Sequence, residues 1–180
     1  MKGFIILGLS VSSVLSAQTD STQIKEIQEV SFTRRLPVSK EIINVQKDLG
    51  SKNLGQDLPI LLKNQMSVVA TSDAGNGVGY TGFRIRGSAG TSINVMLNGV
   101  PYNDSESQGT FFVNIPDMAS SASQIVIQRG VGTSSNGTAS FGASVNILTK
   151  NPDEKPYVLG QFSAGSFNTM KTSFEAGSGK

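Results

Sequence analysis

QIVIQRGVGTSSNGTASFGASVNILTK, residues 124–150, decides how the rest of the chain is read. The stretch opens on Ile125, Val126 and Ile127 and closes on Val145, Ile147 and Leu148. Between these apolar runs lies a lobe built almost wholly from Gly, Ser, Thr, Ala and Asn. β-Branched runs bounded by Gly and Ser clusters predict two strands. Gly130, Gly132, Gly137 and Gly142 permit turns and close backbone approach that larger residues forbid. No repeat and no catalytic spacing accounts for so many small residues between two strands. Tight packing of backbone against a surrounding wall does.

Three groups of residues then carry a resemblance. Arg129-Gly130, followed by Gly137-Thr138-Ala139-Ser140-Phe141-Gly142-Ala143-Ser144-Val145-Asn146-Ile147 and Thr149-Lys150, resembles the closing signature of the plug domain of TonB-dependent outer-membrane receptors. Phe83-Arg84-Ile85-Arg86-Gly87 is similar to that family's IRG element. Ile93-Asn94-Val95-Met96-Leu97-Asn98-Gly99-Val100-Pro101 is similar to its hydrophobic strand and DGVP-type turn. Asn136 stands where the family often has Tyr, and Gly142-Ala143 where it often has Gly-Gly. The resemblance spans roughly residues 27–150. It implies an α+β fold, in which a plug domain with a small mixed β-sheet and short helices precedes the first antiparallel strands of a transmembrane β-barrel. Gly87, Gly99, Gly130, Gly137 and Gly142 are its expected structural glycines.

Composition narrows the function classes. The 180 residues carry 15 Lys and Arg against 13 Asp and Glu, a formal charge of +2. Near-neutral charge gives no clustered basic footprint, so nucleic acid is not an expected partner. Cys and His are both absent. Thiol chemistry and disulfides are thereby excluded, and the commonest ligands of zinc, copper and haem iron are missing. A hydrolase would be left with carboxylates or a Ser–Lys pair, and no motif places either. No cofactor, no resident metal and no enzymatic activity are expected.

Residues 1–17 read as a secretory signal peptide: Lys2, a mostly apolar stretch, and the small pair Ser16-Ala17 before Gln18. The run is too short, and too interrupted by Ser10, Ser12 and Ser13, to span a bilayer. Residues 18–48 are polar and aperiodic, the composition of a mobile tail. Within it Ile27-Gln28-Glu29-Val30-Ser31-Phe32-Thr33 sets Val30 and Phe32 among polar neighbours. An extended peptide of this kind can add to an exposed sheet edge; composition alone favours a plain linker. The resemblance makes Ile27, Glu29, Val30, Ser31, Phe32 and Thr33 the TonB box, gripped by the periplasmic domain of TonB.

Residues 49–150 are the expected plug. Leu54, Leu58, Leu61 and Leu62 fall at helical spacing, with Pro59 placing the start of the helix near Leu58. Residues 67–82 are expected as an exposed loop in which Asp73, Asn76 and Tyr80 can touch a ligand. Phe83 and Ile85 alternate with Arg84 and Arg86, which puts the two arginines on one strand face. Such arginines are commonly solvated, but inside a barrel they need carboxylate partners. The resemblance makes Arg84, Arg86 and Arg129 plug–barrel contacts, with Arg86 and Arg129 paired to the wall. Ile93, Val95 and Leu97 share a face, Asn98-Gly99 is a hairpin turn, and Pro101 confines the return strand to an edge. Asn103, Asp104, Glu106, Gln108, Phe111 and Phe112 form a second ligand-contact loop. Asp104 and Glu106 alone fall short of the 6–8 oxygens of a Ca²⁺ cage. A short helix is expected from Ile115-Pro116-Asp117-Met118.

Residues 151–156 are a Pro-bounded linker, and residues 157–180 carry two alternating segments around Gly165-Ser166-Phe167-Asn168. Apolar-out, polar-in segments of about ten residues mark transmembrane barrel strands; a soluble amphipathic hairpin looks the same. After a plug they read as the first barrel hairpin. A plugged transporter needs about 22 strands, so the chain is expected to be a fragment whose β-barrel lies elsewhere. The resulting expectation is the N-terminal plug portion of an active transporter in the cell outer membrane of a Gram-negative bacterium. Its substrate would be a scarce small molecule such as a metal chelate, a ferric siderophore first. The alternative is a soluble secreted β-rich ligand-binding module or adhesin without energy coupling.

Overall fold

The computed structural model describes residues 39–131 and 140–179. Along them run β1 (Ser39–Asn44), α1 (Leu58–Leu61), β2 (Val68–Ser72), β3 (Thr81–Ile85), β4 (Ile93–Leu97) and β5 (Val100–Pro101). They continue with α2 (Met118–Ser121), β6 (Ala122–Arg129), β7 (Ala143–Thr149), β8 (Tyr157–Ala164) and β9 (Met170–Gly177). The signal-peptide segment, Ile27 to Thr33 and Gly137 lie outside the described residues.

The β-branched runs of the opening stretch become β6 and β7, the inner strands of a five-stranded mixed sheet of order β1-β6-β7-β4-β5. All neighbours are antiparallel except β4 and β7, which run parallel. Ile127 and Val95 both lie opposite Val145, and Ile125 and Leu97 both lie opposite Ile147. Directly opposed residues share a face, so these rows, with Ile43 and Ile93, build one apolar surface. Onto it pack Leu58, Leu61 and Leu62 of the α1 region, Phe83 and Ile85 of β3, and Phe112. Each such side chain contributes on the order of 1.5–3 kcal/mol by leaving water. Asn98 (φ 52°) and Gly99 (φ 84°) make the tight turn into β5. Pro59 lies in the first turn of α1, where its missing N–H costs nothing.

Two expected boundaries move. The tail was expected to reach residue 48, yet β1 pairs with β6 over six residues, from Ser39 opposite Arg129 to Asn44 opposite Gln124. A π-helical turn, Val45–Leu49, follows, its first residues capped by Asn44, whose Oδ1 accepts from the Lys47 amide at 3.1 Å. Ile43, Val45 and Leu49 are buried; their apolar side chains find a core only once β6 is in place. The second correction falls at residues 67–82. Val68–Ser72 forms a ladder with β3, from Val68 opposite Ile85 to Ser72 opposite Thr81, and the loop shrinks to residues 73–80.

The last two strands form a separate hairpin. Val158 lies opposite Ala176, Gly160 opposite Phe174, Phe162 opposite Thr172 and Ala164 opposite Met170. Val158, Phe162, Met170 and Phe174 are therefore gathered on one exposed face. The opposite face meets the rest of the domain through charge. Lys171 Nζ donates to Asp117 Oδ1 at 2.8 Å and to Ser120 Oγ at 2.6 Å. Lys150 Nζ lies 2.6 Å from Glu175 Oε2, whose other oxygen accepts from the Tyr157 hydroxyl at 2.9 Å.

Candidate functional site

Two loops expected to touch ligand meet at one end of the β2–β3 ladder. The 73–80 loop is closed by the Asp73 amide donating to the Tyr80 carbonyl at 3.0 Å. Asn76 turns its Oδ1 onto the Val78 amide at 3.0 Å, a local Asx turn. Tyr80 remains 68% exposed. Across from it lie Thr110, Phe111 and Val113, and a cleft of about 240 Å³ is lined by these residues together with Asp73 and Thr81. Asp73, Tyr80 and Phe111 are thus brought together. A cleft that sets two aromatic rings among threonines and one carboxylate can hold a compact ligand carrying both rings and donors.

The other expected contacts serve the scaffold. Asn103 braces β4 on its β5 side, beyond the end of the two-residue β5: its Oδ1 accepts from the Val95 amide at 2.7 Å, and its Nδ2 donates to the Ile93 and Gln108 carbonyls at 2.9 and 2.8 Å. Asp104 Oδ1 accepts from the Ser107 amide at 2.7 Å, the Ser107 hydroxyl at 2.8 Å and the Glu106 amide at 3.2 Å. These bonds, the Ser107 amide foremost, hold its carboxyl below the usual carboxylate range. Glu106 and Gln108 are exposed, away from the cleft lining. Phe112 lines the same cleft from beneath. It lies in the core against Phe83, ring centroids 5.3 Å apart, while its neighbour Phe111 is left outside.

The three arginines also separate. β3 ends at Ile85, and Arg86 takes a left-handed conformation (φ 51°), its amide donating to the Ser67 carbonyl at 2.9 Å. Arg84 and Arg86 are both exposed, but they do not continue one strand face. Arg129, expected to pair with a surrounding wall, is buried and answered within the domain. Its guanidinium pairs with Glu41 of β1, and its Nε donates to the Met66 carbonyl at 3.0 Å. A guanidinium taken out of water needs a carboxylate at hand, and β1 supplies it.

The glycine-rich motifs pack on one another. A Cβ on Gly142 would stand 2.3 Å from Ser88 Cβ, in the turn that follows the IRG element. The Gly142 amide donates to the Ser92 carbonyl and its carbonyl accepts from the Gly130 amide, each at 2.8 Å. Gly87 and Gly130 adopt φ of 78° and 84°. One buried polar residue had no sequence signal beyond its place before a helix: Asp57, whose Oδ2 accepts from the Gly79 amide at 3.0 Å and the Thr81 hydroxyl at 2.9 Å.

Among the described residues no helix is long and apolar enough to cross a membrane, and no group of three or more Asp, Glu, His or Cys gathers as a metal site. No curated protein sequence matches the chain. Solved structures share its fold. The ferric yersiniabactin uptake receptor FyuA from Yersinia pestis superposes with a TM-score of 0.57 at 15% identity, over 77% of this chain and 21% of that one. The siderophore receptor PiuA from Acinetobacter baumannii gives 0.55 at 21% identity, over 78% and 18%. The copper transporter OprC gives 0.56 at 15% identity, over 76% and 21%. The chain therefore spans about a fifth of the length of the proteins it resembles. The family model of the TonB-dependent receptor plug domain matches residues 33–144, well over half of the sequence. Its mixed sheet, its short helices and that match make the chain a member of the TonB-dependent receptor plug family.

Proposed function

We propose that the chain is the plug and first wall hairpin of an outer-membrane transporter of a Gram-negative bacterium, importing a small metal chelate, a ferric siderophore above all. The observation that carries this reading is the two-faced hairpin, apolar and exposed on one side, ion-paired on the other to Asp117 just ahead of α2 and Lys150 just after β7. A strand pair facing lipid outward and a polar stopper inward has this distribution. A lumen wide enough for a nutrient would leak without a folded obstruction. Polar, hydrated contacts between stopper and wall rearrange more cheaply than apolar ones. FyuA and PiuA, which share the fold, are siderophore receptors, and OprC is a copper transporter.

In this reading residues 1–17 direct export, and residues 27–33 are the segment that the periplasmic domain of TonB grips. Ligand in the cleft beside Tyr80 and Phe111 must alter the availability of that segment, a coupling between two sites. The domain binds and moves; it performs no bond chemistry. The test is growth of a strain lacking this gene on single iron sources, each a defined ferric chelate, with cobalamin as a control. Loss of growth on one chelate, restored by the intact gene but not by a copy lacking residues 27–33, is expected. Recovery of the native protein as a freely soluble periplasmic monomer would overturn the reading.

A further inference from the structure

An aspartate just ahead of a helix ordinarily turns its carboxylate onto the amides of the first turn. Asp57 precedes α1 and makes no such bond. Its Oδ2 accepts instead from the Gly79 amide at 3.0 Å and the Thr81 hydroxyl at 2.9 Å, the two residues that flank Tyr80. Its own amide donates to the Gly77 carbonyl at 2.9 Å. The residue is 0% exposed and takes part in no ion pair among the described residues. Its Oδ1 has no hydrogen-bond partner among the described residues. A buried carboxylate without a counter-ion is costly. Helix capping does not account for it here, because the helix receives nothing from the side chain.

We propose that Asp57 is the positioning residue of the cleft. Charge-assisted bonds to both neighbours of Tyr80 fix the backbone there and set the ring at the cleft beside Phe111. Charge-assisted bonds are roughly twice as strong as neutral ones, which explains a carboxylate in a place where an amide would be cheaper to bury. Gly77 and Gly79 take φ of 82° and 101°; the loop's own bonds reach Asp73, Gly77 and Val78, and Asp57 adds the one that holds the Gly79 amide. A ligand then meets a preformed aromatic contact rather than one it must order itself. The assignment rests on the cleft being the ligand surface proposed above.

The test uses the full chain with Asp57→Ala, Asp57→Asn and Thr81→Val, followed by amide hydrogen exchange at Gly79 and nitration of Tyr80, with the Ile125 and Ile127 amides as controls. Asp57→Ala is expected to speed Gly79 exchange by about tenfold or more, given the worth of hydrogen bonds to charged groups, and to raise the Tyr80 nitration rate. The control amides should not move. Asp57→Asn keeps one oxygen for the Gly79–Thr81 pair but not the charge, and is expected to restore part of the protection. Unchanged Gly79 exchange in Asp57→Ala, equal loosening of Gly79 and Ile125, or no rescue by Asp57→Asn would each overturn the proposal. Should Asp57→Ala fail to fold, Thr81→Val leaves the carboxylate in place; it is expected to raise Tyr80 nitration with Ile125 unmoved, and no rise overturns the proposal. A ferric tris-catecholate added to the unaltered chain addresses the cleft separately. Failure to shield Tyr80 from nitration counts against the ligand surface and not against Asp57.

Discussion

Gly142 shows how closely single residues are specified. The space a methyl group would need is occupied by Ser88 Cβ and Oγ at 2.3 and 2.4 Å, with the Ser92 carbonyl at 3.2 Å. Gly142→Ala is expected to destabilise the domain by about 1–3 kcal/mol, the usual cost of overpacking. Adding Ser88→Gly should recover most of that loss, measured by denaturant unfolding of single and double variants. Asp104 is specified by hydrogen bonding. Its carboxyl is held below its ordinary value by the Ser107 amide first and the Ser107 hydroxyl second. With a folded value below the unfolded one, the carboxylate steadies the turn at neutral pH, and that contribution disappears as pH falls through the lowered value. Ser107→Ala removes the hydroxyl and leaves the amide, so the Asp104 pKa should rise only part of the way, as read from its carboxyl carbon shift in an NMR titration.

At the scale of elements, β1 and its ion pair decide how firmly the leading edge is held. The Arg129 side chain is 4% exposed and that of Glu41 32%. Removing Glu41 strands a buried guanidinium, whereas removing Arg129 leaves a carboxylate that water can reach. Glu41→Ala is therefore expected to cost more than Arg129→Met, about 2–4 kcal/mol against about 1–2, by equilibrium unfolding. The same element marks where sequence stops being informative. The run at 93–101 and the two segments of the last hairpin are legible because alternation and turn chemistry are local. β1 is not, since the partner that buries Ile43 lies more than eighty residues onward. Phe111 and Phe112 are alike in sequence; contact with Phe83 chooses which goes inside. Asp57 looks like a helix cap because its true partners, Gly79 and Thr81, sit 22 and 24 residues away.

At the scale of the molecule, the family was legible from three ordered motifs, and the structure packs them together, β4 pairing with β7 of the closing signature. The turn after the IRG element packs against Gly142 of the closing signature, so each is the other's surface. The hairpin carries the remaining large-scale expectation. Phe162→Arg on its exposed face should oppose membrane insertion by about 2–4 kcal/mol if the residue lies near the bilayer midplane. Ser163→Arg, on the opposite face, should be far milder toward lipid. Carbonate extraction of membranes carrying each variant reads the difference.

The placement of β1 has a mechanical corollary. Among the described residues it is stitched to the sheet along a single seam, with β6 alone beside it, and it is the first strand in chain order. Tension from the N-terminal side would load one row of backbone bonds, with the Glu41–Arg129 rivet at the first pair to feel it. The other four strands keep their own seams when this one parts. A small early rupture, well short of full extension, is the signature to seek when the chain is drawn out from its N-terminus in an optical trap.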